Sequence, residues 1–272
     1  MHFLLYLCAQ IKLAKYGLMT IVIFGNAQKS DTLREVRHIL QFMKEKEVHI
    51  LLSKELRQEL SLREYRSFPD FNEEWTEQTE ESVDFALSVG GDGTFLTSSA
   101  AIGDKNIPIL GINCGHLGFL AEVQTQNLDE ILHKLVQGEY TIEQRSLLTV
   151  NVIDKDGTRK DNLIIAPNAL NEIAILKEGI SSMLSIELKV NDEWLHTYHS
   201  DGLVIATPTG STAYNLSIGG PIMVPQSRGI ILNPIAPHSL TVKPLVVPDD
   251  WKFDPKVTSR YDAFMVSVDG RS

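Results

Sequence analysis

The stretch Phe85-Ala86-Leu87-Ser88-Val89-Gly90-Gly91-Asp92-Gly93-Thr94-Phe95-Leu96 constrains the fold more than any other part of the chain. The apolar run from Phe85 to Val89 has the length of a buried strand. The glycines after it make a turn, and the small residues from Thr97 to Ala101 continue as a helix. Strand, glycine turn and helix in direct succession are the repeating step of an α/β domain with a parallel sheet. Such a turn also presents backbone N–H groups at a helix N-terminus, where a phosphate is stabilised. Asp92 places a carboxylate in the middle of that turn. Two tasks justify it: holding a metal ion, or taking a proton from an attacking hydroxyl. An ordinary Asp-Gly turn behind a glycine pair is the alternative.

The flanking sequence repeats the alternation. Thr20 to Phe24 is a β-branched strand closed by Gly25-Asn26. Ser30 or Asp31 can cap the next segment, and Leu33, Val36, Ile39, Leu40 and Met43 give helical spacing from Asp31 to Lys46. Val48–Leu52 reads as a strand and residues 53–66 as helical. Asp70 to Asp84 is acidic and reads as a solvated connection or an acidic partner surface. Ile107–Ile112 is another buried strand, ending in a second glycine-rich turn, Asn113-Cys114-Gly115-His116-Leu117-Gly118-Phe119. Leu128, Ile131, Leu132 and Leu135 make a short helix closed by Gly138.

After about residue 140 the texture changes. Strand-like runs at Leu147–Ile153, Asn171–Leu176, Met183–Val190, Trp194–His199 and Gly202–Thr207 are separated by turn signals. Pro244–Pro248 and Phe264–Val268 look like further strands. No long helix is evident, so this half reads as antiparallel β. Pro208 to Gly220 is a Thr/Ser/Gly loop inside it. The chain stops at Val268-Asp269-Gly270-Arg271-Ser272, which reads as the exit of a strand. The expected division is an extension over 1–18, disordered or helical, an α/β domain over 19–138 and a β domain over 139–272. Met19 stands directly before the first strand, where the natural start can lie.

Composition narrows the function. A formal net charge of −10 over 272 residues does not attract nucleic acid or an anionic membrane. A phosphate ligand must therefore be held by local devices. Cys8 and Cys114 are far apart, which speaks against a zinc site or a disulfide framework and for a reducing cytoplasm. No stretch reaches the ~18–20 apolar residues of a membrane span.

Five clusters carry the chemistry: residues 90–94, residues 115–119, Asn171-Glu172, Asp201-Gly202 with 207–215, and 233–238. Asn171 and Glu172 are either surface residues of an edge strand or an amide and a carboxylate that grip vicinal hydroxyls. His116 and Phe119 either end a strand or, in the case of Phe119, flank a planar base. His196, His199 and His238 have no metal-ligand spacing and read as surface or structural. Residues 207–215 supply hydroxyls, a glycine, an aromatic and a proline bend in one short loop, which suits a polar planar ligand.

In order and over nearly the whole chain from about residue 20, these clusters resemble the NAD kinase family. The matching motifs are GGDGT at 90–94, GINxGHLGFL at 111–120, LNE at 170–172, DGLxxxTPTGSTAYNLSxGGP at 201–221 and NPIxPHSL at 233–240. GGDGT alone is shared with diacylglycerol and sphingosine kinases; the long motif at 201–221 is far more specific. The resemblance implies a Rossmann-like α/β domain followed by an antiparallel β-sandwich-like domain, with the site in the cleft between them. It implies a homodimer or homotetramer. Family members usually carry a further strand and helix after the DGR-like position, which this sequence does not contain.

The resemblance further implies phosphorylation of NAD+ at the 2′-hydroxyl of its adenosine ribose, with ATP as donor and Mg2+ or another divalent cation bridging the donor's phosphates. Asp92 is then the base. Gly90, Gly91, Gly93 and Thr94 form the phosphate-donor turn, and Asp92 and Gly93 also contact NAD+. Asn171 and Glu172 hold its ribose or diphosphate region, and Phe119 and Tyr214 flank the adenine. Thr212, Ala213, Asn215, Leu216 and Ser217 surround the base, and Asp201 lies toward the nicotinamide. His199, where relatives often carry Arg, and Arg271 complete the candidates. The alternatives are a lipid or sugar kinase using the same turn, and a nucleotide sensor without turnover. No metal ligand set is expected from the protein itself.

Overall fold

The computed structural model describes residues 4–7, 19–62, 73–76, 83–115, 118–154, 156–160, 166–179, 183–260 and 263–271. The chain divides into two compact units, Met1–Gln144 and Arg145–Ser272.

In the first unit β1 (Leu4–Leu7), β2 (Thr20–Gly25), β3 (His49–Leu52), β4 (Phe85–Gly90), β5 (Ile109–Asn113), β6 (Val123–Gln124) and β7 (Thr141–Gln144) share one sheet. Its order is β3-β2-β4-β5-β1-β7, with β6 also on β5. The run β3-β2-β4-β5 is parallel throughout. Ile21, Val22 and Ile23 are all fully buried, so β2 is covered on both faces, as parallel strands require. One face clusters with α1 (Ser30–Lys44), α2 (Lys54–Leu62) and α4 (Leu128–Gln137) through Leu33, Ile39, Leu56 and Ile131. On the other face lies α3 (Asp92–Ile102), whose Ser98 hydroxyl donates to Ser88 of β4 at 2.9 Å. Gly111 of β5 makes room there, because a Cβ would meet the Phe95 ring at 2.9 Å.

One local expectation is met closely and two are corrected; residues 63–66 of the expected helix lie outside the described residues. The helix closed by Gly138 ends in the left-handed conformation, with φ of 76° at that glycine. At α1, neither Ser30 nor Asp31 caps: Lys29 holds the cap position, with no side-chain hydrogen bond. A missing cap costs about 1 kcal/mol. Burial of Leu33, Val36, Ile39, Leu40 and Met43 offsets it, at roughly 1.5–3 kcal/mol for each side chain. The second difference is at the N-terminus. Leu4–Leu7 is a strand, neither helical nor disordered, antiparallel to β5 and parallel to β7. The strand lies between β5 and β7, partners distant in sequence that no local pattern reveals. The acidic segment from Asp70 to Asp84 lies outside the described residues except at 73–76, 83 and 84.

The second unit is built of antiparallel sheets. β8 (Leu148–Thr149) pairs with β9 (Asn168–Ala169). β10 (Glu172–Lys177), β13 (Gly202–Ala206), β14 (Ile230–Ile235), β15 (Leu245–Val247) and β17 (Phe264–Val268) form a sheet of order β15-β14-β13-β10-β17. β11 (Leu184–Val190), β12 (Glu193–Ser200) and β16 (Phe253–Thr258) form another, of order β12-β11-β16. Leu184, Ile186 and Leu188 cluster with Leu203, Ile205 and Leu232, which packs the two sheets as a sandwich. The alternation along β11 is legible directly in its burial.

Among the strands that escape the sequence reading, β14 and β16 each contain a proline. Pro255 sits in β16, an edge strand, where a missing N–H is tolerated. Pro234 sits in β14 beyond the part that β15 pairs, so only β13 adjoins it. Conversely, the long strand expected over Leu147–Ile153 shrinks to β8 and a single bridge from Ile153 to Arg159.

Candidate active site

In the first unit the candidate residues gather at the glycine turn. Asp92 stands in the first turn of α3, with Gly91 at the cap position. A carboxylate is electrostatically favoured there. Its Oδ2 accepts the Phe119 N–H at 2.8 Å, and its Oδ1 accepts those of Leu120 at 3.1 Å and Ala121 at 3.3 Å. The sequence suggested metal binding or proton transfer for Asp92; fastening the second glycine turn to the first is a task it did not reveal. An ionised carboxylate has about four acceptor positions. Oδ2, with one donor, therefore keeps a free lone pair.

The glycines divide by function. A Cβ on Gly118 would overlap the Asp92 carboxyl group, and one on Gly90 would overlap the Thr94 side chain. Both are glycine because the protein itself fills the space. Gly91 and Gly93 have nothing within 4 Å of a Cβ, so their backbone faces open space. Phe119 is 73% exposed beside this turn. His116 lies outside the described residues.

By itself, the second unit holds a compact polar centre. Asn171 and Glu172 are both buried, and Glu172 opens β10, a strand flanked by β13 and β17. They are not surface residues of an edge. Loop residues pack onto them: Thr207 N–H donates to the Asn171 carbonyl at 2.9 Å and the Thr207 hydroxyl to that of Leu170 at 2.5 Å. A Cβ on Gly210 would overlap the Asn171 backbone. Glu172 Oε2 is buried with no hydrogen-bond partner. Burial, and then the neighbouring Asp269 carboxylate, push the Glu172 carboxyl up to about 7, against a Tyr214 backbone N–H that pulls it down. A buried, half-satisfied carboxyl of this kind is suited to receive a hydroxyl donor.

The loop that follows β13 is more ordered than the sequence suggested. Thr209–Thr212 is a 3-10 turn and α5 (Tyr214–Ser217) a single helical turn. Tyr214, Leu216 and Ser217 are exposed, while Thr212 and Ala213 are half-buried. Asn215 is fully buried, and its amide is used inside the protein. It donates to the carbonyls of Ser211 and Pro221 at 3.0 Å and accepts from Asn233 at 2.9 Å. Its side chain holds the loop together. Asp201 pairs with Lys177 at 2.8 Å, and His199 is exposed on β12. Asn233, from the fifth cluster, is structural.

Asp269 is the residue that sequence reasoning missed. It follows β17 and lies at φ 49°, with its side chain almost fully buried. Its carboxylate accepts the backbone N–H groups of Leu170, Asn171 and Glu172 at 2.9, 2.8 and 3.0 Å. Burial pushes its pKa up, opposed by those three amides and by Arg271. Arg271 reaches it at 3.6 Å and also donates to the carbonyls of Val268 and Asn168. An Asp-Gly pair at a strand exit was the available signal, but its target depends on β17 pairing with β10.

Among the described residues no group of three or more His, Cys, Asp or Glu side chains could hold a metal ion, and no helix is long and apolar enough to cross a membrane.

Comparison with known proteins gives consistent matches. The profile of the ATP-NAD kinase N-terminal domain matches residues 21–140, and that of the C-terminal domain residues 170–272. A NAD kinase of Bacteroides fragilis is 52% identical over 190 residues, covering 70% of this chain and 63% of that protein. The match thus spans slightly less than two thirds of that relative. A NAD kinase of Flavobacterium johnsoniae is 36% identical over 258 residues, covering 93% of this chain and 85% of that protein. A crystal structure of yeast NADH kinase complexed with NADH superposes with a TM-score of 0.83 at 23% identity, covering 99% of this chain and 82% of that one. That last likeness is one of fold.

Proposed function

The chain belongs to the NAD kinase family, and on that footing we propose that it transfers the terminal phosphate of ATP to the 2′-hydroxyl of the adenosine ribose of NAD+. The products are NADP+ and ADP. The ribose oxygen forms a bond to the γ-phosphorus, the bond from that phosphorus to the β–γ bridging oxygen breaks, and the hydroxyl proton passes to Asp92. Phosphoryl transfer asks for positioning and charge stabilisation more than covalent help. One observation carries the reading: Asp92 is held by three amide donors in a fixed orientation, with a lone pair free on Oδ2.

Roles follow for the other residues. The open backbone at Gly91 and Gly93, with Gly90 and Thr94 shaping the turn, receives donor phosphate at the N-terminus of α3. Glu172, through its unpartnered oxygen, accepts a ribose hydroxyl, and Asn171 binds beside it. The exposed rings of Phe119 and Tyr214 flank the adenine. Thr212, Ala213, Leu216 and Ser217 surround it, and Asn215 supports them from below. Asp201, with Lys177, lies toward the nicotinamide, and His199 and Arg271 are auxiliary contacts. Mg2+ or another divalent cation would accompany the triphosphate and neutralise its charge.

The setting belongs to the same proposal. A homodimer or homotetramer is supported by exposed apolar side chains on the second unit, including Ile222, Val224, Leu245, Val246 and Phe264. A cytoplasmic site is supported by the sparse cysteines, Cys8 and Cys114, which stand far apart in the sequence.

The competing acceptor is a lipid, because the GGDGT turn alone does not select one. Incubation with ATP and Mg2+ and an equimolar panel of NAD+, diacylglycerol and sphingosine separates them. The expected result is NADP+ and no phospholipid product. Phosphorylation of either lipid with no NADP+ formed overturns the assignment.

A further inference from the structure

Asp269 has no part in the roles given above, yet it is bonded more extensively to the Asn171–Glu172 segment than any ligand-facing side chain. Its carboxylate receives three consecutive amides, from Leu170, Asn171 and Glu172. Its own N–H donates to the Glu172 carbonyl at 3.0 Å. The next strand pair continues the link, since Ile173 is in register with Val268. From the opposite side, Thr207 donates its hydroxyl to the Leu170 carbonyl and its N–H to the Asn171 carbonyl, with Gly210 packed close against Asn171. The backbone of residues 170–172 is therefore gripped along both its N–H and its C=O groups.

This grip is electrostatically expensive. Asp269 is a nearly fully buried carboxylate placed beside a second buried carboxyl, Glu172. An apolar residue at 269 would avoid burying a charge. A carboxylate is the one side chain that accepts three converging N–H donors without bringing a donor of its own. The three consecutive amides of Leu170, Asn171 and Glu172 turn to one point, and the Asp269 carboxylate is the acceptor that meets them.

We propose that Asp269 is a positioning residue for nucleotide binding: by gathering the amides of Leu170, Asn171 and Glu172 it preorganises the segment that presents the Asn171 and Glu172 side chains to NAD+. This rests on the assignment of Asn171 and Glu172 as NAD+ contacts. Arg271 secures the arrangement by tying Asp269 to the Asn168 carbonyl.

The test is Asp269→Asn, which keeps the shape but turns one acceptor into a donor facing an amide. NADP+ formation is measured against NAD+ concentration at saturating ATP and Mg2+. The expected result is a KM for NAD+ raised about tenfold with kcat within about threefold of the parent. A residue that served folding alone would instead lower kcat through loss of active protein and leave KM unchanged; that outcome overturns the proposal. Hydrogen exchange on the unaltered chain decides the matter without any variant. The amides of Leu170, Asn171 and Glu172 are expected to be protected before NAD+ is added. If they exchange freely in the nucleotide-free protein and are protected only after addition, there is no preorganisation and the proposal fails. Absence of NADP+ from the unaltered chain would sink the kinase assignment, while the exchange result on the free chain would still decide the positioning role.

Discussion

Asp92 and Gly118 occupy one another's space: the Asp92 carboxyl group lies where a side chain at 118 would begin. The contact exists because the carboxylate reaches over to the N–H groups of Phe119, Leu120 and Ala121. Gly118→Ala should displace the carboxylate and leave those amides without their acceptor. Turnover is expected to fall at least about tenfold, with stability reduced by about 1–3 kcal/mol as for other overpacked sites. Steady-state kinetics and a denaturant midpoint read the two effects separately.

Gly93→Ala should behave in the opposite way. Gly93 lies in the first turn of α3 and a Cβ there meets nothing within 4 Å. Alanine in a helix is favoured over glycine by about 0.5–1 kcal/mol. The expected variant is slightly more stable than the parent yet binds the triphosphate more weakly, because the new methyl group stands where phosphate approaches the backbone. A thermal melt paired with a KM for ATP checks it. Unchanged KM would remove Gly93 from the donor turn.

Glu172→Gln probes the buried carboxyl. Its pKa is raised, from 4.5 to about 7. The folded state therefore holds a proton that the unfolded chain has released between those values. Stability from this group is present below about pH 4.5 and is lost as pH rises through about 7. The loss amounts to about 3 kcal/mol at pH 8. Asp269, also raised, contributes in the same direction. Glu172→Gln should thus be more stable than the parent at pH 8 and lose much of the decline between pH 5 and 8, while binding NAD+ more weakly. Denaturation midpoints across that range decide it; parallel curves for parent and variant would contradict the shift.

The physical origin of these sites explains how much the sequence disclosed. The α/β half was legible because buried parallel strands such as Thr20–Phe24 and Phe85–Val89 are continuous apolar runs, and the glycine turns stand at their ends. Much of the β half was legible through alternation along Leu184 to Val190. The misses share one cause. Leu4–Leu7 as a strand, β14 and β16 with their prolines, and Asp269 beneath Glu172 all depend on which distant segment lies alongside, which no local pattern contains. Asn215 illustrates the same limit from the other side. Its residue type suits a ligand contact, but its burial against Asn233 makes it part of the loop's own framework.

The central claim is that Asp92 takes the proton from the hydroxyl that is phosphorylated. Its most direct test compares the parent chain with Asp92→Asn in NADP+ formed from saturating ATP, Mg2+ and NAD+, read with an NADP+-specific dehydrogenase, alongside the Kd for NAD+. The expected result is product from the parent and a kcat at least about 10²-fold lower in the variant, with NAD+ affinity largely retained. An Asp92→Asn chain that forms NADP+ at the parent rate would contradict the assignment of the base.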